Sequence, residues 1–208
     1  MTSHRTARTK HGLAAAAAMV TLALAGCSAT DAGSAASGTT PAEPSSTPTE
    51  ASAPFGPACA GLPSTGPGSP TVMADQPAAT AASQNPALST LVSAVTKAGL
   101  VDTLNSAQAI TVFAPTNNAF AKIPKDTLNE VLTDKATLTN VLTYHVVDQR
   151  KAPTDLAAGK LATLQGGTIT TAKSGDTYTA NDARIVCGNI QTRNATVYLI
   201  DTVLMPPS

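Results

Sequence analysis

Beyond residue 70 the spacing of apolar side chains predicts helices first and strands afterwards. Asn85-Pro86 is a helix start, an N-cap Asn followed by a Pro whose missing N–H costs nothing in a first turn. Leu88, Leu91, Val92 and Val95 follow at i, i+3, i+4 and i+7, one apolar stripe on one helix face, and Gly99 can end it. Leu100–Leu104 reads as a second short helical piece. Ile110–Ala114 alternates like a half-buried strand, and Pro115 stops it. Asn117–Ala121, Thr127–Leu132 and Lys135–Leu142 read as three further short helices. Thr116 or Asn117 can cap the first, and Asp126 and Asp134 the other two.

After residue 143 the period falls to two. Tyr144–Val147, Leu161–Leu164, Thr168–Ala172, Tyr178–Ala180, Arg184–Val186 and Thr196–Val203 are expected strands. The turn signals between them are Gly166-Gly167, Ser174-Gly175-Asp176 and Asn181-Asp182. A short helix, Pro153–Ala158, interrupts the run. Helices followed by antiparallel strands predict an α+β domain over residues 71–208.

The residues before 71 follow another grammar. Met1–Gly12 carries Arg5, Arg8 and Lys10 and no acid, and Leu13–Ala25 is apolar apart from Thr21. That stretch is too short to cross a bilayer as a helix, so residues 1–26 read as a removed signal peptide. It ends Leu24-Ala25-Gly26-Cys27, which resembles the bacterial lipobox, whose Cys is acylated before cleavage on its N-terminal side. Cys27 is therefore the expected lipid attachment point and the route to a membrane. Ser28–Ala58 has no Leu, Ile, Val, Met, Lys or Arg, and residues 27–70 read as a lipidated Cys and a disordered tether rich in Ala, Ser, Thr and Pro. Thr39, Thr40, Thr47 and Thr49 stand near prolines and suit O-glycosylation.

Composition narrows the function classes. Ala (39) and Thr (32) dominate the 208 residues, so the 42% hydrophobic content overstates the area available to a core. The 13 basic residues balance the 13 acidic ones; removing the leader takes three basic residues and no acids, leaving a net charge of −3. A mildly acidic chain with no Trp does not suit nucleic acid. His145 is then the only histidine, too few for the usual multi-histidine metal sites, and neither a metal nor a cofactor is expected. Cys59 and Cys187 form an even pair in an exported chain, which reads as a disulfide.

Three segments carry a family resemblance. Thr111–Phe120 (TVFAPTNNAF) resembles the first signature segment of the fasciclin (FAS1) domain, and Tyr144-His145-Val146-Val147 resembles its Tyr-His motif. Ala183–Pro207, with Asn189-Ile190, Asn194, Val197–Asp201 and Val203–Pro207, is similar to the second signature segment. Their order and spacing match. With its lipobox and Thr/Pro-rich tether, the chain looks most like the mycobacterial surface-lipoprotein antigens of that family. The resemblance implies a wedge-like antiparallel β-sandwich with helices packed on it, a role in adhesion or envelope organisation, and no catalysis. It also implies that Tyr144, His145, Val146 and Val147 are adhesion residues. The residues themselves equally support an internal His145 that ties a helix end to the sheet.

Catalytic signatures are absent from the sequence: no Gly-x-Ser-x-Gly elbow, Cys-x-x-Cys, His-Glu-x-x-His or phosphate-cradling glycine loop. The expectation is a non-enzymatic protein on the outer face of the cytoplasmic membrane or in the cell wall, with shed forms conceivable, contacting host or matrix surface proteins. The alternative is a lipoprotein that binds a lipid or small hydrophobic molecule between sheet and helices. An apolar cavity would favour the second reading, and a solid core with an exposed apolar patch the first.

Overall fold

Prolines mark the helical starts between residues 70 and 88. Pro70 opens α1 (Pro70–Ala74), where Ser69 Oγ accepts the Val72 N–H; Pro77 precedes α2 (Ala78–Ser83); Pro86 opens a single 3₁₀ turn, Pro86–Leu88. The structure, a computed structural model, describes residues 53–206. Asn85 caps the 3₁₀ turn as expected, accepting the Ala87 N–H at 3.0 Å. The chain then runs into α3 (Ser89–Ala98), which ends at Gly99 with φ 75°, the left-handed cap position that glycine takes without strain. Neither α1 nor α2 shows in the apolar period: they are five and six residues long, and α2 reads AATAAS.

Next come α4 (Val101–Ser106), β1 (Ile110–Pro115), α5 (Asn117–Ala121), α6 (Lys125–Thr133) and α7 (Lys135–Tyr144). Asp134 caps α7, taking the Ala136 N–H at 3.0 Å and the Thr137 hydroxyl at 2.6 Å. Three expected details change. Asp126 lies inside the first turn of α6, whose N-cap is Pro124. Thr116 is the N-cap of α5 but makes no side-chain cap bond, and Asn117 serves α3 instead, accepting the Thr90 N–H at 3.0 Å and donating to Pro86 O at 2.9 Å. Tyr144 and His145 end a helix rather than begin a strand, because α7 keeps its hydrogen-bond ladder to the His145 N–H.

The strands that follow are β2 (Val146–Val147), β3 (Ala158–Ala162), β4 (Thr168–Ser174), β5 (Thr177–Ala180), β6 (Ala183–Gln191) and β7 (Ala195–Ile200), with a 3₁₀ turn at Pro153–Leu156. They form one seven-stranded sheet in the order β2-β1-β7-β6-β5-β4-β3. All neighbours are antiparallel except β1 and β7, which pair in parallel from Ile110↔Ala195 to Pro115↔Ile200. Val147 also bridges to Thr163, and the Leu164 N–H reaches Val146 O at 2.8 Å, so the two ends of the sheet meet and it nearly closes into a barrel. Helices pack on this sheet, giving the expected α+β architecture.

β7 is buried along its whole length. Its alternating side chains feed two cores: Val197 and Leu199 face Leu91, Val95, Phe120 and Leu142 from the helices, while Tyr198 and Ile200 face Phe113, Leu161, Ile169 and Ile185 inside the curled sheet. β6 slips register between Ile185 and Ile190, and Asn189 there takes φ 59°, a bulge conformation that Asn tolerates.

The segment before residue 71 belongs to this unit over a longer stretch than composition suggests. Phe55 pairs with Gly188 of β6 through two backbone hydrogen bonds of 3.1 and 2.8 Å, and Pro57–Gly61 forms a 3₁₀ turn packed beside β6. Cys59 is disulfide-bonded to Cys187 with Cα atoms 5.0 Å apart. The leader, Cys27, Thr39, Thr40, Thr47 and Thr49 lie outside the described residues.

Candidate functional site

Tyr144, His145, Val146 and Val147 are all buried. The His145 ring bridges two chain segments: Nδ1 lies 2.8 Å from Val141 O, and Nε2 accepts the Leu204 N–H at 3.0 Å. An acceptor at Nε2 requires the neutral ring with its proton on Nδ1, which then donates to Val141 O. Burial lowers the ring's pKa to about 4, against a smaller opposing effect of the Val141 carbonyl. The ring therefore stays neutral at physiological pH, where an ordinary histidine would be titrating. Tyr144 performs a similar task at the other end of the sheet. Its hydroxyl donates to Thr168 O at 2.9 Å and accepts from Asn181 Nδ2 at 3.1 Å. A Cβ on Gly167 would come within 2.8 Å of the Tyr144 ring. The Tyr-His segment is an internal clasp, and a direct adhesive contact through these four side chains would require the end of α7 to open.

The asparagines of the second signature segment are also structural. Asn194, 5% exposed, accepts the Ala78 N–H at 2.8 Å and donates to Leu104 O and Ala107 O at 2.8 and 2.7 Å. With Asn105 Oδ1, which accepts the Ala79 N–H at 3.1 Å, it supplies the cap that Pro77 cannot give to α2. Asn189 Nδ2 donates to Ala53 O at 3.2 Å, holding the N-terminal segment to the bulge.

Phe55 is the residue that composition hid, a lone aromatic in the Ala/Ser/Thr/Pro stretch. Its ring lies 4.9 Å from Tyr178 and 6.4 Å from Tyr198, measured between centroids. Gly188 makes the room, since a Cβ there would stand 2.5 Å from the Phe55 ring and 2.8 Å from that of Tyr198. Tyr198 stacks on Phe113 at 5.8 Å and donates its hydroxyl to Lys151 O at 2.9 Å. Burial, with smaller contributions from Asp155 and Tyr178, raises its pKa, so the hydroxyl stays a donor.

A concavity lies between α2, α3 and α4 on one side and β1, β2 and β7 on the other. It is an apolar pocket of about 240 Å³. Leu91 and Val95 form its helix wall, and Val112, Leu142, Val146 and Val197 its floor. Val112 is half-exposed although β1 is otherwise buried, because the pocket opens onto it. Ala78, Ala79 and Ala82 of α2 leave the volume unfilled: a helix of small side chains set against a β-branched sheet face makes a gap. Among the described residues no group of three or more His, Cys, Asp or Glu could hold a metal ion.

This geometry matches a known family. Residues 86–206 fit the Fasciclin domain family model. The chain belongs to the fasciclin (FAS1) family. It is 47% identical over 161 residues to Immunogenic protein MPB70 of Mycobacterium bovis, an alignment covering 74% of this chain and 82% of that one. It is 50% identical over 149 residues to Cell surface glycolipoprotein MPB83 of the same species, covering 69% of this chain and 67% of the relative. Among solved structures it is similar to the FAS1 domain pair of the insect cell adhesion molecule Fasciclin I, with a TM-score of 0.54 and 16% identity. That alignment covers 64% of this chain and 51% of that one, and establishes the shared FAS1 fold.

Proposed function

We propose that this FAS1 protein is exported, held by lipid on Cys27 at the outer face of the cytoplasmic membrane, and acts by non-covalent contact with surface or matrix proteins. The relationship to a protein named a cell surface glycolipoprotein, together with the basic-then-apolar leader ending Leu24-Ala25-Gly26-Cys27, carries this reading. Residues 28–52 serve as the spacer between lipid and domain. Because Tyr144–Val147 are internal, the contact uses the folded surface and needs those side chains only to keep that surface in shape. The test is a pull-down of envelope and host-surface proteins with the non-lipidated Cys27→Ala chain, alongside a folded double variant that also carries His145→Gln. Equal capture of a specific partner by both supports the reading. Absence of any partner above the control surface contradicts it.

A second reading is favoured by the pocket between the helices and the sheet: the domain binds a small hydrophobic ligand. Leu164 and Met205 are the large apolar side chains left well exposed among the described residues, and neither forms a broad patch.

A further inference from the structure

We propose that the pocket beneath α2, α3 and α4 is a binding site for one uncharged hydrocarbon chain or ring ending in a hydroxyl group, with a medium-chain alcohol as its simplest member. The inference rests on the hydrophobic-ligand reading and names the chemistry of that ligand.

Volume sets the size class. A cavity of roughly 150 Å³ lined by aliphatic side chains takes up benzene, and drug-sized ligands need roughly 300 Å³ or more. At about 240 Å³ the pocket suits a single chain segment or one ring, and a two-chain lipid exceeds it.

Charge sets the head group. Asp, Glu, Lys and Arg are all missing from the pocket's lining. His145 reaches the wall, but both its ring nitrogens are committed to Val141 and Leu204 and the ring is neutral. A carboxylate or ammonium drawn inside would lose its water without gaining a partner.

The rim sets the polarity of the hydrogen bond. Ser83, Thr96 and Thr143 place hydroxyl groups among the lining residues. Each donates its own O–H to a backbone carbonyl: Ser83 to Thr80 at 2.7 Å, Thr96 to Val92 at 2.8 Å and Thr143 to Thr139 at 2.8 Å. With their protons committed, these three oxygens offer lone pairs, whereas Thr80, whose Oγ1 accepts from Asn105 Nδ2 at 3.4 Å, and Thr103 on the same lining keep an O–H to give. A ligand end that both donates and accepts, an alcohol, matches this mixed lining better than an ester or ketone that can only accept.

The site is also pre-formed. Asn194 and Asn105 fix the N-terminus of α2, so its alanines stay over the opening without a ligand to hold them.

The experiment uses the full chain carrying Cys27→Ala, which has no lipid of its own. The neutral fluorophore N-phenyl-1-naphthylamine is bound and then displaced by 1-decanol, decanoate, decyltrimethylammonium or dioctanoylglycerol. Methyl NMR shifts of Leu91, Val95 and Val112 report the place. We expect decanol to displace the probe at a concentration about tenfold or more below the other three and to shift those methyls. Ala82→Phe, which fills the pocket from α2, should raise the decanol midpoint about tenfold. Should that variant fail to fold, Val101→Phe fills from α4 with the same expected effect. Equal displacement by decanoate, decyltrimethylammonium or dioctanoylglycerol overturns the proposed chemistry while leaving a hydrophobic site. Probe and decanol binding that leaves the three methyls unmoved, or an unchanged midpoint in a folded filling variant, overturns the site itself. No binding of probe or decanol removes the hydrophobic-ligand reading as well.

Discussion

His145 Nε2 accepts the Leu204 backbone N–H at 3.0 Å, joining the end of α7 to the segment after β7 across 59 residues. The bond exists only while the ring is neutral, and the interior enforces that state.

Stability should therefore depend on pH through this one ring. Its pKa is lowered from 6.5 to about 4 in the folded protein, so the unfolded chain binds the proton first. The contribution is fully present above pH 6.5, shrinks as pH falls, and is lost once pH passes the folded value near 4. The size is about 3 kcal/mol over that window, from a shift of this order at 1.36 kcal/mol per unit. Urea denaturation from pH 7.5 to 4 checks it. In His145→Leu that component of the slope should disappear, with stability at pH 7.5 lowered by about 2 kcal/mol for the buried N–H left without its acceptor.

Reducing the Cys59–Cys187 bridge should destabilise the domain by about 5 kcal/mol, the chain-entropy value for a closed loop of 128 residues. Thermal unfolding with and without dithiothreitol measures it. Thiol counting on the unreduced, denatured Cys27→Ala chain should find no free thiol.

Gly188→Val should loosen the N-terminal segment before it unfolds the rest. The added atoms collide with the rings of Phe55 and Tyr198. Hydrogen exchange should show lost protection at the Phe55 and Gly188 amides, which bond each other's carbonyls, while β1 amides stay protected.

Asn194→Ala removes the cap of α2 and three well-made buried hydrogen bonds together, so about 2–4 kcal/mol should be lost. The same variant should open the α2 side of the pocket, read as faster exchange of the Ala78 and Ala79 amides.

How much of this was legible in the sequence differs from element to element. The stripe Leu88–Val95, the Asn85 and Asp134 caps and the turn residues Gly166, Gly175 and Asn181 act within a few positions of themselves, and each is found where the pattern puts it. α2 left no signal because an all-small helix has no apolar period, and its caps come from Asn105 and Asn194, distant in the chain. The parallel pairing of β1 with β7 joins strands 85 residues apart at Ile110↔Ala195, beyond any local rule. Tyr144-His145 is recognisable as a motif, but its inward direction follows from α7 running on to Tyr144, two residues past the expected helix end at Leu142. The pocket could not be read at all, since it depends on which small side chains face which strand.

Lipid on Cys27 is the proposed tie that holds this FAS1 domain at the cell surface. Intact mass and fractionation of the protein from producing cells, with Cys27→Ala beside it, test it most directly. The expected result is a membrane-associated mature chain beginning at Cys27 with the added mass of a diacylglyceryl group, and a Cys27→Ala protein without that mass that leaves the mature membrane pool. A wild-type chain with a different N-terminus and no lipid mass, or identical fractionation of the two proteins, would contradict it.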